Sequence, residues 1–269
     1  MYSTVNEISG QYLNSIPKGN SFRLTSQEFQ VVTNSRMFSS QTLYSENTRC
    51  NCRNKPLLDK EGVHLSTGCA KSGFRHKTHD NIVYFLKELM GTLQIEARTT
   101  KLNVFSTMEA DPDGRRPDLE MVNPQGTDRA MLIDVRVTNC NTSRDKVENR
   151  HQAMDVSYNE KMAKYSRVAE QSGFDFLPFI VSSTGQIDER SLAWVKGQVQ
   201  AKFVIDGEGA KGADVDKRMN FWIKKLSFLI QRSLARSIIE RSKIIFYDQH
   251  VIRNHEVAEQ FMNDINHVA

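Results

Sequence analysis

The chain has 269 residues, 39% of them hydrophobic and 25% charged, which is the composition of an ordinary globular protein long enough to bury a core. It contains no apolar run of about 18 residues, the length a membrane-spanning helix needs, and its start, MYSTVNEISGQYLN, lacks the basic and apolar stretches of a secretory signal. The expectation is an intracellular protein, nuclear if its source is eukaryotic, with no membrane partner. A net charge of +4 permits nucleic-acid binding without requiring it.

Residues 1–49 are polar and weakly periodic, with one short helix expected over Ser26–Arg36 and Phe29 and Val32 facing inward. Residues 50–72 are punctuated by glycine and lysine and read as loops. A clear amphipathic helix follows, capped by Thr78, with Ile82, Phe85, Leu86, Leu89 and Met90 at helical spacing and Gly91 as its stop. Strands are expected at 93–98, 103–107, 116–122 and 130–138, with Asp111-Pro-Asp-Gly as a strong turn between the second and third. The last of these, AMLIDVRVT, is rich in β-branched and apolar residues, as a central strand is. A polar stretch leads to a helix over 157–171. A strand follows at 174–182, where Pro178 points to an edge or a bend. Two helices, 189–203 and 213–240, close the pattern. The second carries Phe221, Lys225, Phe228, Leu229 and Ser233 on one face, with Trp222, Leu226 and Ile230 beside it. The order predicts a mixed α/β (α+β) fold. A small N-terminal module occupies 1–72, and a mixed-sheet core with C-terminal helices occupies 73–269.

Two carboxylates stand out in RRPDLEMVNPQGTDRAMLIDVRV. Asp118 begins one strand and Asp134 sits inside the next, with fifteen residues between them. Paired as a hairpin, these strands bring both acids to one point, and a pair of hard oxygen ligands suits Mg²⁺ beside a substrate phosphate. Asp118 could equally cap a turn and Asp134 lie on a surface. Yet Asp134 is flanked by apolar residues, and a buried carboxylate needs a cation to offset its desolvation. Downstream, Lys161 and Lys164 lie one turn apart and share a helix face with access to a developing phosphate charge, unless both are simply solvated.

Four cysteines are present, and Cys50, Cys52 and Cys69 fall within twenty residues together with His64. In a chain without a secretory signal this clustering favours a structural Zn²⁺ over disulfides, with His76 or His79 as substitutes for one ligand. Arg53, Lys55, Lys71, Arg75 and Lys77 surround the cluster and suggest a grip on nucleic acid. A second basic stretch, 211–245, contains Lys211, Lys217, Arg218, Lys224, Lys225, Arg232, Arg236, Arg241 and Lys243; it is either a solvated helix face or a phosphate-contacting one.

The RPD sequence followed by a strand with a central Asp resembles the signature of PD-(D/E)XK nucleases. More specifically, the chain resembles the restriction-like endonuclease region at the C-terminus of site-specific non-LTR retrotransposon polyproteins. CNC…LDKEGVHLSTGC followed by Arg75-His76 looks like that family's CCHC zinc motif; RRPD, LIDVRV and KMAKY look like its catalytic motifs; FWIKKLSFLIQRSLARSI looks like its closing helices. The resemblance spans residues 11–243. It implies a DNA endonuclease, with RNA as the alternative substrate, that hydrolyses phosphodiester bonds using Mg²⁺ or Mn²⁺. Asp118 and Asp134 would be the metal ligands, Lys161 the catalytic lysine, Lys164 and Tyr165 the rest of the lysine–tyrosine motif, and Cys50, Cys52, His64 and Cys69 the Zn²⁺ ligands. The family's usual lysine position, two residues after the second acid, holds Arg136 here, and arginine cannot act as a base. Lys161 on the helix is the residue that repairs this. The alternative is a nucleic-acid-binding module on an inactive nuclease core. Glu88 and Glu96 precede the motif and could supply a further acid.

Overall fold

The structure, a computed structural model, describes residues 10, 12–13, 19–37, 39–69, 74–100, 116–122, 124, 128–138, 150–182, 185–205 and 212–268. Contacts divide the chain into two units: Met1–Leu24 with His76–Gln231, and Thr25–Arg75 with Arg232–Ala269.

The first unit is built on a four-stranded sheet in the order β1-β2-β3-β4, formed by Glu96–Thr99, Leu119–Val122, Met131–Thr138 and Asp175–Ser182. β1 and β2 pair antiparallel, as do β2 and β3, whereas β3 and β4 run parallel. A parallel pair needs a crossover, and α3 (Arg150–Gln171) supplies it. The remaining helices are α2 (Phe74–Thr92), α4 (Glu189–Ile205) and α5 (Gly212–Val268), of which α5 contributes its residues up to Gln231 here. Alternation along the strands assigns the layers. Ile133, Val135, Leu177, Phe179 and Val181 join Leu86 and Leu89 of α2, Val199 of α4 and Leu226 of α5 in the main core. Leu132 instead meets Tyr165, Val168 and Ala169 of α3, and Ile180 meets Met154. Both faces of β3 are therefore covered, which is why its sequence is a nearly continuous apolar run.

Several element boundaries differ from the sequence expectation. The α2 helix begins before Thr78 and runs through Gly91. Its left-handed stop is Gln94 (φ 59°), where the Gln94 N–H donates to the Gly91 carbonyl and the Ile95 N–H to the Met90 carbonyl. That double bond is a Schellman closure. It is fixed by burial of Leu93 and Ile95 on either side, which also delays β1 to Glu96. The α3 helix starts at Arg150, earlier than expected. Pro178 lies in the edge strand, and the segment after it covers that edge: the Asp188 N–H donates to the Ile180 carbonyl, and Ser191 Oγ accepts from the Ile180 N–H. In the main core α5 contributes Trp222, Leu226 and Ile230, with Trp222 edge-on to Phe85; of the expected face, Phe228 is buried against Tyr12 and Phe22, while Phe221 stays half exposed. The expected strand at 103–107, the turn at Asp111 and Cys140 fall outside the described residues.

The second unit holds α1 (Ser26–Arg36), the loops up to a short helical turn at His64–Gly68, and the rest of α5. Thr25 and Glu28 form a reciprocal capping box at the start of α1. Val31 and Val32 are buried, but Phe29 is 50% exposed, contrary to the expected phase. The inward position one turn from Val32 belongs instead to Glu28, whose carboxylate accepts from Arg236 Nε at 2.7 Å. Gly62 has φ +77°, and a Cβ there would lie 2.8 Å from Ile238 Cδ1, so conformation and space both require glycine. Among the described residues no helix is long and apolar enough to cross a membrane.

Phe179 is 1% exposed at the centre of the main core. Phe179→Ala is expected to lower unfolding free energy by about 3–5 kcal/mol in urea titrations; a loss below about 1 kcal/mol would place Phe179 outside the core.

Candidate functional site

The antiparallel register of β2 and β3 pairs Leu119 with Ile133. Asp118 directly precedes Leu119, and its charge reaches Asp134 across the strand pair. Asp118 is anchored by its backbone, the N–H donating to the Ile133 carbonyl at 2.9 Å and the carbonyl accepting from the Thr100 N–H. Its side-chain Oδ2 accepts from the Val135 N–H at 2.6 Å and lies 3.0 Å from His79 Nε2. Both of these contacts fall on one oxygen, Oδ2.

Asp134 is 3% exposed. It projects toward α3, whose Lys161 places its ammonium 2.5 Å from Asp134 Oδ2. That oxygen is buried without an aligned hydrogen-bond donor, so the contact is one of charge against charge. Burial pushes the Asp134 carboxyl above the usual carboxylate range; the Lys161 ammonium opposes this, the Asp118 charge adds to it, and the Tyr165 hydroxyl again opposes it. Lys161 and Tyr165 are four residues apart on α3 and so share the face turned to β3. Tyr165 is buried, its ring tilted on Phe176 and its hydroxyl 3.4 Å from the Arg116 carbonyl. Lys164 is exposed, with its ammonium 5.0 Å from the Tyr165 ring centroid. The two carboxylates, Lys161 and Tyr165 thus form one group, with Lys164 at its rim.

Arg136, two residues after Asp134, is paired with Glu160 of α3. Glu88 is paired with Lys225, and Glu96 with Arg98 at the β1 end that faces Val122 rather than Asp118. The residue the sequence reading misplaced is His79. Expected as a substitute zinc ligand, it instead bridges Asp118 and Asp80, and these bonds lift its pKa to about 9 against the opposing effect of burial. The His-Asp dipeptide on a helix was visible; its partner 39 positions away was not.

In the second unit, Cys50, Cys52, His64 and Cys69 bring their ligand atoms within 4.8 Å of one another. Cys50 Sγ is 3.6 Å from Cys69 Sγ, and Cys52 Sγ is 3.6 Å from His64 Nε2. A disulfide would need about 2.05 Å, whereas tetrahedral Zn²⁺ with bonds of about 2.0–2.3 Å separates its ligands by roughly 3.5–3.8 Å. The donor set and its spacing therefore fit Zn²⁺, and the cluster could hold one. Asp59 shapes the turn that presents His64, accepting from the Val63 and His64 N–H groups at 2.6 and 2.7 Å. Burial holds His64 below its usual pKa, with Asp59 opposing and Arg241 reinforcing, which favours the neutral, ligating ring.

The 211–245 stretch is no uniform solvated face: Arg241 is buried, Lys225 and Arg236 are ion-paired, and Lys243 is exposed. Of the basic residues flanking the cluster in sequence, Arg53 and Lys55 of the second unit and Lys77 of the first are exposed, while Lys71 and the Arg75 side chain fall outside the described residues. No protein-family model matches the chain, and no curated protein matches it.

The His79 pKa, about 9 in the folded chain against an ordinary 6.5, sets a pH window. Its bond to Asp118 contributes full stability below about pH 6.5 and loses it as pH rises through about 9. With divalent cations removed, the melting temperature is expected to fall across that window, and His79→Gln to flatten the fall. Equal slopes in the two proteins would show that His79 is not protonated against Asp118.

Proposed function

We propose that the chain is a metal-dependent endonuclease of the PD-(D/E)XK type that hydrolyses phosphodiester bonds in DNA. The observation that carries this reading is the buried Asp134 of β3, close enough to Asp118 beside the start of β2 for the two charges to act on one another, with the Lys161 ammonium against Asp134. Two neighbouring carboxylates, one of them buried, bring like charges together at a cost in stability. A divalent cation would remove that cost, and the Asp118 and Asp134 carboxylates are the ligand type that suits Mg²⁺ or Mn²⁺. The ion would supply charge neutralisation at the phosphate and a more acidic water.

The chain's own residues do the rest. Lys161 is drawn to Asp134 and, with a cation there, its ammonium is free to hydrogen-bond a phosphate oxygen or orient the attacking water. Tyr165 fixes the floor beneath Lys161, and Lys164 at the rim is placed to meet the phosphate backbone. His79 holds Asp118 in place through its contact with Oδ2. Arg136, engaged by Glu160, takes no part, so Lys161 stands in for the lysine of the usual pattern. The order helix, three strands, helix, strand also supports the reading. The resemblance to the retrotransposon endonuclease region makes DNA target cleavage the specific activity. It also makes the Cys50, Cys52, His64 and Cys69 cluster a structural Zn²⁺ site that helps to grip DNA.

Supercoiled plasmid and single-stranded DNA incubated with Mg²⁺ or Mn²⁺ are expected to be cut by the native protein. Asp118→Ala and Asp134→Ala should abolish cutting, and Lys161→Ala should slow it by about 10²-fold or more. Tight, salt-sensitive binding without cutting would favour the alternative of an inactive recognition module. Cutting that survives both Asp substitutions would place the site elsewhere.

Zinc analysis of purified protein is expected to give about one ion per chain, lost in Cys50→Ser or Cys69→Ser. An intact fold with no zinc would remove the structural metal from this reading.

A further inference from the structure

Arg241 is 3% exposed, a burial that guanidinium groups reach only when their charge is met. Among the described residues no carboxylate pairs with it directly. Its Nη2 donates to the Asn51 side-chain oxygen and lies 3.9 Å from Cys50 Sγ, while its Nε is buried without an acceptor. Asp248 reaches this network only through the Asn51 amide. Among the described residues, a full positive charge is thus enclosed beside a cysteine sulfur with no carboxylate in direct contact. With three neutral thiols the arrangement would be strongly unfavourable. Three thiolates, a neutral imidazole and Zn²⁺ instead sum to a net charge of about −1, equal and opposite to one guanidinium.

We propose that Arg241 is the counter-charge of the Cys50, Cys52, His64 and Cys69 metal centre, so that zinc occupancy holds the C-terminal part of α5 in place. The inference rests on the zinc reading given above. Arg241 is a positioning residue: it touches the ligand sulfur and not the metal, and it acts by lowering the cost of a thiolate-rich centre. Hydrogen bonds from such partners orient ligands and tune affinity. The same pairing makes the coupling mutual. Loss of the ion leaves a buried cation uncompensated and loosens the helix that carries it, 190 positions away in sequence from Asn51.

The test uses the full chain and a chromophoric chelator that competes for Zn²⁺. Arg241→Met is expected to weaken zinc binding by about 10–100-fold, and Arg241→Lys, which keeps the charge, to recover most of that loss. With Co²⁺ in place of Zn²⁺, the sulfur-to-metal charge-transfer band should move in Arg241→Met, a change that packing alone would not cause. Zinc affinity and cobalt spectrum unchanged in Arg241→Met would overturn the proposal while leaving the zinc site standing. Failure of the native protein to bind zinc would remove both. Should Arg241→Met not fold, hydrogen exchange on the native chain decides. Chelation is expected to speed exchange at 238–245 and leave β3 protected; no change at 238–245 would overturn the coupling.

Discussion

The antiparallel pairing of β2 with β3 brings Asp118 close enough for its charge to act on the buried Asp134, and groups from α2 and α3 answer the two carboxylates. Asp134 is buried because β3 is covered on both faces, by the main core on one side and α3 on the other. Burial raises the pKa of a carboxylate in that position, and the Asp118 charge adds to the rise. The surrounding elements answer the charge. The α3 crossover that parallel pairing of β3 and β4 demands also delivers Lys161, and the start of α2 delivers His79. Topology and electrostatics are therefore linked: the connection needed to close the sheet carries the cation that makes the buried acid tolerable.

The second unit solves a different problem. Its loops between α1 and the His64–Gly68 turn contain few large apolar side chains, so little hydrophobic burial is available to order them. Order comes from local polar devices: the Thr25–Glu28 capping box, the Asp59 carboxylate across the Val63 and His64 N–H groups, and Gly62 where Ile238 leaves no space for a side chain. The cysteine and histidine ligand atoms gather at the centre of these loops. A metal held at that point would supply the cross-links that a small core does not.

Legibility from sequence varied with the physics involved. The apolar run of β3 and the helical spacing of Ile82, Phe85, Leu86 and Leu89 reflect burial directly, and both elements lie close to where the pattern put them. Positions decided by a few competing contacts did not follow simple rules. Gly91 was the obvious helix stop, yet the turn falls at Gln94 because Leu93 and Ile95 must both enter the core. Phe29 was the obvious inward residue of α1, yet Glu28 takes that position, held by Thr25 and Arg236. The basic stretch of α5 offered two surface readings, and neither anticipated a buried arginine.

By itself the sequence determined the mixed α/β class, the succession of the main helices and strands, and the residue types of both sites. It also singled out the Cys50, Cys52, His64 and Cys69 set, since short spacing keeps such ligands near one another whatever the rest of the fold does. Tertiary structure alone decided the long-range partners. The Asp118–His79 bond, the Lys161–Asp134 pair and the Arg241–Cys50 contact join residues 39, 27 and 191 positions apart. Residue periodicity reports which face of an element is buried. It carries no record of which distant element covers that face, so charges that meet across such gaps become visible only once strand register and helix packing are known.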